Sequence, residues 1–115
     1  MDRVEALSVL EWLDEELQDR PPGVDPMRLR QIAALCARLR QAPGPPDAIA
    51  EQTAAVEAWA RMLLSARDHW RYDRPGRPGY EEVRRRALAA TRALRDLVQR
   101  GQATQEEVAL PSVSS

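Results

Sequence analysis

The chain has 115 residues, enough for one hydrophobic core and too few for two. Its formal net charge of -1 gives no overall attraction to nucleic acid or to an anionic membrane, so any such binding has to be local. One Cys and one His exclude an intramolecular disulfide, a multi-cysteine zinc site and a metal site built on paired histidines.

All seventeen basic residues are arginine and Phe is absent, a composition that matches the codon bias of a GC-rich bacterial genome. The aromatic residues are Trp12, Trp59, Trp70, Tyr72 and Tyr80. Alanine is abundant, which suits close helix packing and predicts an all-α fold.

Three clusters of Pro and Gly punctuate the chain, at 20–26, 42–47 and 73–79, and the segments between them are long enough to be helices. The first helix has Asp2 as N-cap with Glu5 three residues on, and Pro21 stops it. The second opens on Asp25 and Pro26, the N-cap and N1 pair, and ends before Pro43. Leu7, Leu10, Leu13 and Leu17 of the first are expected to face Leu39, Cys36, Ile32 and Leu29 of the second, with Val9, Trp12, Ala34 and Leu35 left over for packing on other helices.

The third helix runs from near Asp47 to about Tyr72 and the fourth from near Gly79 to Gly101, a natural residue for a helix end. Steps of three and four pick out Ile49, Gln52, Val56, Trp59, Leu63, Ala66 and Trp70 in the third. The same steps pick out Tyr80, Val83, Ala87, Ala90, Leu94, Leu97 and Gly101 in the fourth. A turn at 73–79 sets Trp59 against Ala90, Leu63 against Ala87 and Ala66 against Val83, large against small. The expected fold is an antiparallel four-helix bundle made of two helical hairpins, the second longer than the first. At 1.5 Å per residue the first two helices measure roughly 25 to 28 Å and the last two roughly 33 to 39 Å, so the second hairpin overhangs at 66–84. Residues 1–101 form the domain on this reading. Residues 102–115 form a short helical turn, capped by Thr104 and Glu107, and a frayed tail from Pro111.

No phosphate loop, nucleophile elbow or metal motif is present in the sequence. His69, with Asp68 and Asp73 nearby, reads as a solvated histidine at a helix end, and Cys36 as a buried, unreactive thiol. The carboxylates of the first helix, Glu11, Asp14, Glu15, Glu16 and Asp19, read as a solvated face that attracts Arg28, Arg30, Arg38 and Arg40 of the second rather than as a cation site. No catalytic residue, cofactor or metal ligand is expected.

The densest cluster of rare residues is 65–86, with seven arginines against four carboxylates. Glu81 with Arg85 and Glu82 with Arg86 are helical i,i+4 pairs, and Trp70 and Tyr80 close the seam. Arg71, Tyr72, Arg74, Arg77 and Arg84 are then left as the candidate partner-binding surface, in residue types common at binding hot spots. The favoured function is a non-enzymatic helical interaction module that forms a homodimer or docks on a protein partner. The second reading is a nucleic-acid accessory protein that uses the arginine-rich tip, and the third an enzyme subunit with a composite site. The start of the sequence, acidic where a signal peptide is basic, and the lack of any apolar run of about 20 residues predict a cytoplasmic protein with no membrane partner.

Overall fold

A computed structural model describes residues 1–19, 21, 23–65 and 79–114. They form four helices and, among the described residues, no strand: α1 (Arg3–Asp19), α2 (Pro26–Leu39), α3 (Pro46–Ser65) and α4 (Tyr80–Ser114). The helix starts are chemical. Asp2 Oδ1 accepts the backbone N–H of Glu5 at 2.8 Å, and Asp25 Oδ1 accepts that of Arg28 at 3.1 Å with Pro26 at the first helical position. Each such cap satisfies an N–H that the helix itself cannot pair, a contribution of about 1 kcal/mol. Pro46 opens α3 one residue ahead of Asp47, whose carboxylate then lies in the positive first turn.

Leu10, Leu13 and Leu17 of α1, Ile32, Cys36 and Leu39 of α2, Ile49, Val56, Leu63 and Leu64 of α3, and Val83, Leu94 and Val98 of α4 make one buried core. The stripes depart from the expected heptads by a fraction of a turn. On α3 the buried positions include Thr53 and Ala60, while Gln52 and Trp59 lie half-exposed at the edge facing α4. A helix that packs on two neighbours turns the middle of its apolar face between them, so strict seam positions move to the flank. Thr53 and Thr91 enter the core without a cross-helix partner because each hydroxyl donates to the carbonyl four residues back, Ile49 at 2.6 Å and Ala87 at 2.8 Å.

The principal packing is of α4 on α3 and on α1, and of α2 on α3. The close seam expected between α1 and α2 is replaced by a looser approach bridged by long side chains: Arg28 to Glu16 at 3.5 Å, and Arg38 to Glu5. Long side chains also cross between α3 and α4, where Gln52 lines a hollow with Ala93 and Leu97. Gln52 Nε2 donates to the Ala90 carbonyl at 3.1 Å, and the Trp59 ring lies 5.1 Å from the Arg86 guanidinium.

Carbonyls at the end of α1 and in the last described turn of α3 accept from other parts of the chain. The Arg84 guanidinium donates to the carbonyls of Leu17 at 3.0 Å and Gln18 at 2.5 Å, in the last turn of α1. The backbone N–H groups of Gly23 and Asp25 donate to the carbonyls of Leu63 at 3.1 Å and Leu64 at 2.8 Å, in the last described turn of α3. Asp14 holds the Arg92 guanidinium through both its oxygens, at 3.1 and 3.3 Å, which ties α1 to α4 a second time and raises the Arg92 pKa above its ordinary value.

Gly101 does not end α4, as a glycine there predicts, and the helix continues to Ser114 through the stretch 102–114 expected to be a short turn and tail. Its glycine has another cause. A Cβ at 101 would lie 2.5 Å from Gly44 Cα, and Gly44 itself has φ +140 and leaves only 3.2 Å between an added Cβ and Ile49 Cδ1. The 42–45 linker therefore crosses α4 backbone to backbone. In a helix interior Gly→Ala ordinarily stabilises by about 1 kcal/mol. Here Gly101→Ala is expected to lower the thermal midpoint, with a cost of about 1 to 3 kcal/mol from overpacking; a raised midpoint by circular dichroism would disprove the contact.

Candidate interaction surface

Of the five residues singled out for partner binding, Arg71, Tyr72, Arg74 and Arg77 lie outside the described residues, as does His69. Arg84 lies half-buried against the end of α1 with two carbonyls on its guanidinium, so its charge serves the last turn of α1. Its neighbours are also engaged. Glu82 takes both Arg85 and Arg86 at 2.8 Å, and Arg86 reaches Trp59 as well. The Glu82–Arg86 pair is the one the helical spacing predicts. Glu82 holds Arg85 through its other oxygen as well, an i,i+3 contact that the i,i+4 rule does not reveal.

A different surface collects unsatisfied features. Where α1 and α2 stand apart, the half-buried Trp12 ring separates two hollows. One, of about 390 Å³, is rimmed by Glu15, Glu16, Asp19 and Pro21; the other, of about 330 Å³, is lined by Gln31, Ala34, Leu35 and Arg38. Arg28 bridges them: its guanidinium carbon is 5.4 Å from the Trp12 ring centroid, its Nη1 donates to Gln31 Oε1 at 2.9 Å, and Glu16 pairs with it. Val24 and Met27, exposed by 55% and 67%, extend apolar surface past the start of α2.

The expected attraction between the acidic face of α1 and the arginines of α2 is realised in Glu16–Arg28. Asp14 instead turns to Arg92 on α4, and Arg40 pairs with Glu57 of α3 at 3.2 Å. Glu57 also receives Arg61 one turn on. Glu11, Glu15 and Asp19 are exposed and make no ion pair with another described residue. Sequence reasoning set Trp12 aside for helix packing; the signal for an exposed role was its place among these carboxylates.

Cys36 is fully buried, and burial, with Glu57 nearby, pushes its thiol up to about 12 from an ordinary 9.0. Nucleophilic chemistry at neutral pH is closed to such a group because the thiolate is the reactive form. Among the described residues no group of three His, Cys, Asp or Glu side chains is arranged to hold a metal ion, and no helix is long and apolar enough to cross a membrane. The chain matches no protein-family model, no curated protein and no solved structure.

Arg84→Met, which keeps the aliphatic stem and deletes the donors, lowers stability by about 1 to 2 kcal/mol in urea unfolding; an unchanged midpoint shows that the guanidinium does not hold α1. Cys36 in the native chain resists maleimide at pH 8 and labels at once in denaturant. The unfolded thiol ionises near 9 and the native one near 12, so the unfolded state binds fewer protons between them and stability falls as pH rises through that window. Cys36→Ala removes this component of the decline, and an identical slope in the variant assigns it elsewhere.

Proposed function

We propose that the chain is a non-enzymatic interaction module of the cytoplasm, an antiparallel four-helix bundle of two hairpins that docks on a protein partner or on a second copy of itself. The antiparallel reading draws on contacts whose residue numbers rise on one helix as they fall on the next. Glu5 with Arg38 and Glu16 with Arg28 join α1 and α2, and Arg40 with Glu57 and Asp25 with Leu64 join the α2 side to α3. Gln52 with Ala90 and Trp59 with Arg86 join α3 and α4. The second hairpin is the longer because α3 and α4 have 20 and 35 residues against 17 and 14.

The observation that carries the functional reading is the α1–α2 face. A bundle optimised only for its own stability closes the gap between neighbouring helices with apolar side chains. This one leaves a half-exposed Trp and two hollows there, which is the pattern of a surface completed by something else. Arg71, Tyr72, Arg74 and Arg77 add a second contact group in the segment that joins α3 to α4.

Native mass spectrometry of the tagged chain from its host lysate is expected to find it as a dimer or with a bound protein. Tyr72→Ala with Arg74→Ala is expected to reduce that assembly several-fold. A monomer free of any partner overturns the module; unchanged assembly in the double variant removes residues 71–77 from its surface. Bound nucleic acid, released steeply by salt, would replace the protein partner with the accessory-protein reading.

A further inference from the structure

We infer that the α1–α2 groove is the docking site for a cationic amphipathic helix of a partner protein. This inference rests on the interaction-module reading and names the chemistry of the partner.

Charge selects the occupant. Over its length α1 carries six carboxylates against one arginine, and Glu15, Glu16 and Asp19 of these rim the groove. Glu5, Asp14 and Glu16 are matched by Arg38, Arg92 and Arg28. Glu11, Glu15 and Asp19 have no ionic partner among the described residues, and the two α2 arginines that reach the groove are spent on Glu16 and Glu5. Arg30 is two residues from Arg28, about 200° around the helix, and so belongs to another face. Among the described residues the groove's balance is therefore negative, and its complement is positive.

Shape and chemistry select a helix bearing both apolar and basic residues. A groove between two helices is the geometry into which a third packs its ridges. Its floor offers Leu35 and Ala34 to an apolar stripe, and its rim offers carboxylates to the flanking cations. Trp12 at the centre already holds one guanidinium at 5.4 Å, so its ring accepts cations as well as apolar contact. The 17 residues of α1 span about 25 Å, room for four to five turns of a partner. A two-fold copy of this chain would bring the same carboxylate rim to the same groove, and a nucleic acid would bring phosphates to it; both are repelled.

The test uses the full chain and a fluorescein-labelled peptide of about 18 residues with Leu at helical i, i+3, i+4, i+7 spacing and Arg elsewhere. A twin with Glu for Arg and a same-composition scramble serve as controls. Anisotropy titration is expected to show binding of the Leu/Arg helix that weakens with salt, and a gain of peptide helicity. The affinity should fall about tenfold or more in Glu15→Arg with Asp19→Arg, and again in Trp12→Ala. Because Glu15 and Asp19 are exposed, the charge-reversed variant remains folded and carries the test even where Trp12→Ala loosens the helices. Equal binding of the Glu twin or the scramble, or equal affinity in the charge-reversed variant, overturns the assignment. A chain that assembles in native mass spectrometry yet ignores the peptide loses the groove assignment and keeps the module. One that binds the peptide as expected but is always alone in lysate loses the module.

Discussion

Four helix carbonyls, two on α1 and two on α3, accept from distant parts of the chain and tie the helices to one another. A helix leaves its last carbonyls without partners of its own, and a hydrogen bond from a charged donor there contributes about 1.5 to 3 kcal/mol. In this chain the Leu17 and Gln18 carbonyls of α1 are met by the Arg84 side chain, and the Leu63 and Leu64 carbonyls of α3 by the backbone of Gly23 and Asp25. The two sets of bonds act on two connections. They set α4 against α1, they hold the loop before α2 against the end of α3, and they fix the axial position of each helix to within the reach of a hydrogen bond. The leucine-rich core fills the space between the helices so held.

Local chemistry was the legible part of the sequence. Asp2, Asp25 and Pro26 announce helix starts because caps are short-range and depend on residue type alone. Periodicity likewise placed Leu10, Leu13, Leu17, Ile32, Cys36 and Leu39 inside. What periodicity cannot say is which neighbour a stripe faces. Leu13 is equally apolar toward α2 or α4, and the choice fell to Asp14–Arg92 and to Arg84, pairings across some 70 residues that no local pattern reveals. Thr53 and Thr91 look polar in sequence, yet their hydroxyls are satisfied within their own helices, so they are buried like valines.

The candidate site shows the same division. An arginine-rich stretch is conspicuous by composition, but composition does not distinguish a guanidinium held by carbonyls, as in Arg84, from one held by a carboxylate and a ring, as in Arg86. The groove around Trp12 has no compositional signature. It exists because polar side chains, Glu5, Glu16, Arg28 and Arg38, span a gap that apolar ones would have closed, and that spacing is a property of four helices together.

Gly44 and Gly101 sit 57 positions apart and behave sterically as one place in the molecule. Each has no side chain because the other's backbone, or what lies beside it, takes up that volume. Related sequences, as they diverge, are therefore constrained in pairs: a bulkier residue at either position requires the linker to lift from α4, which a longer or shorter linker would permit. Glycine at both, or a changed linker length together with the loss of both, is the joint signature by which descendants of this fold can be told from chance resemblance.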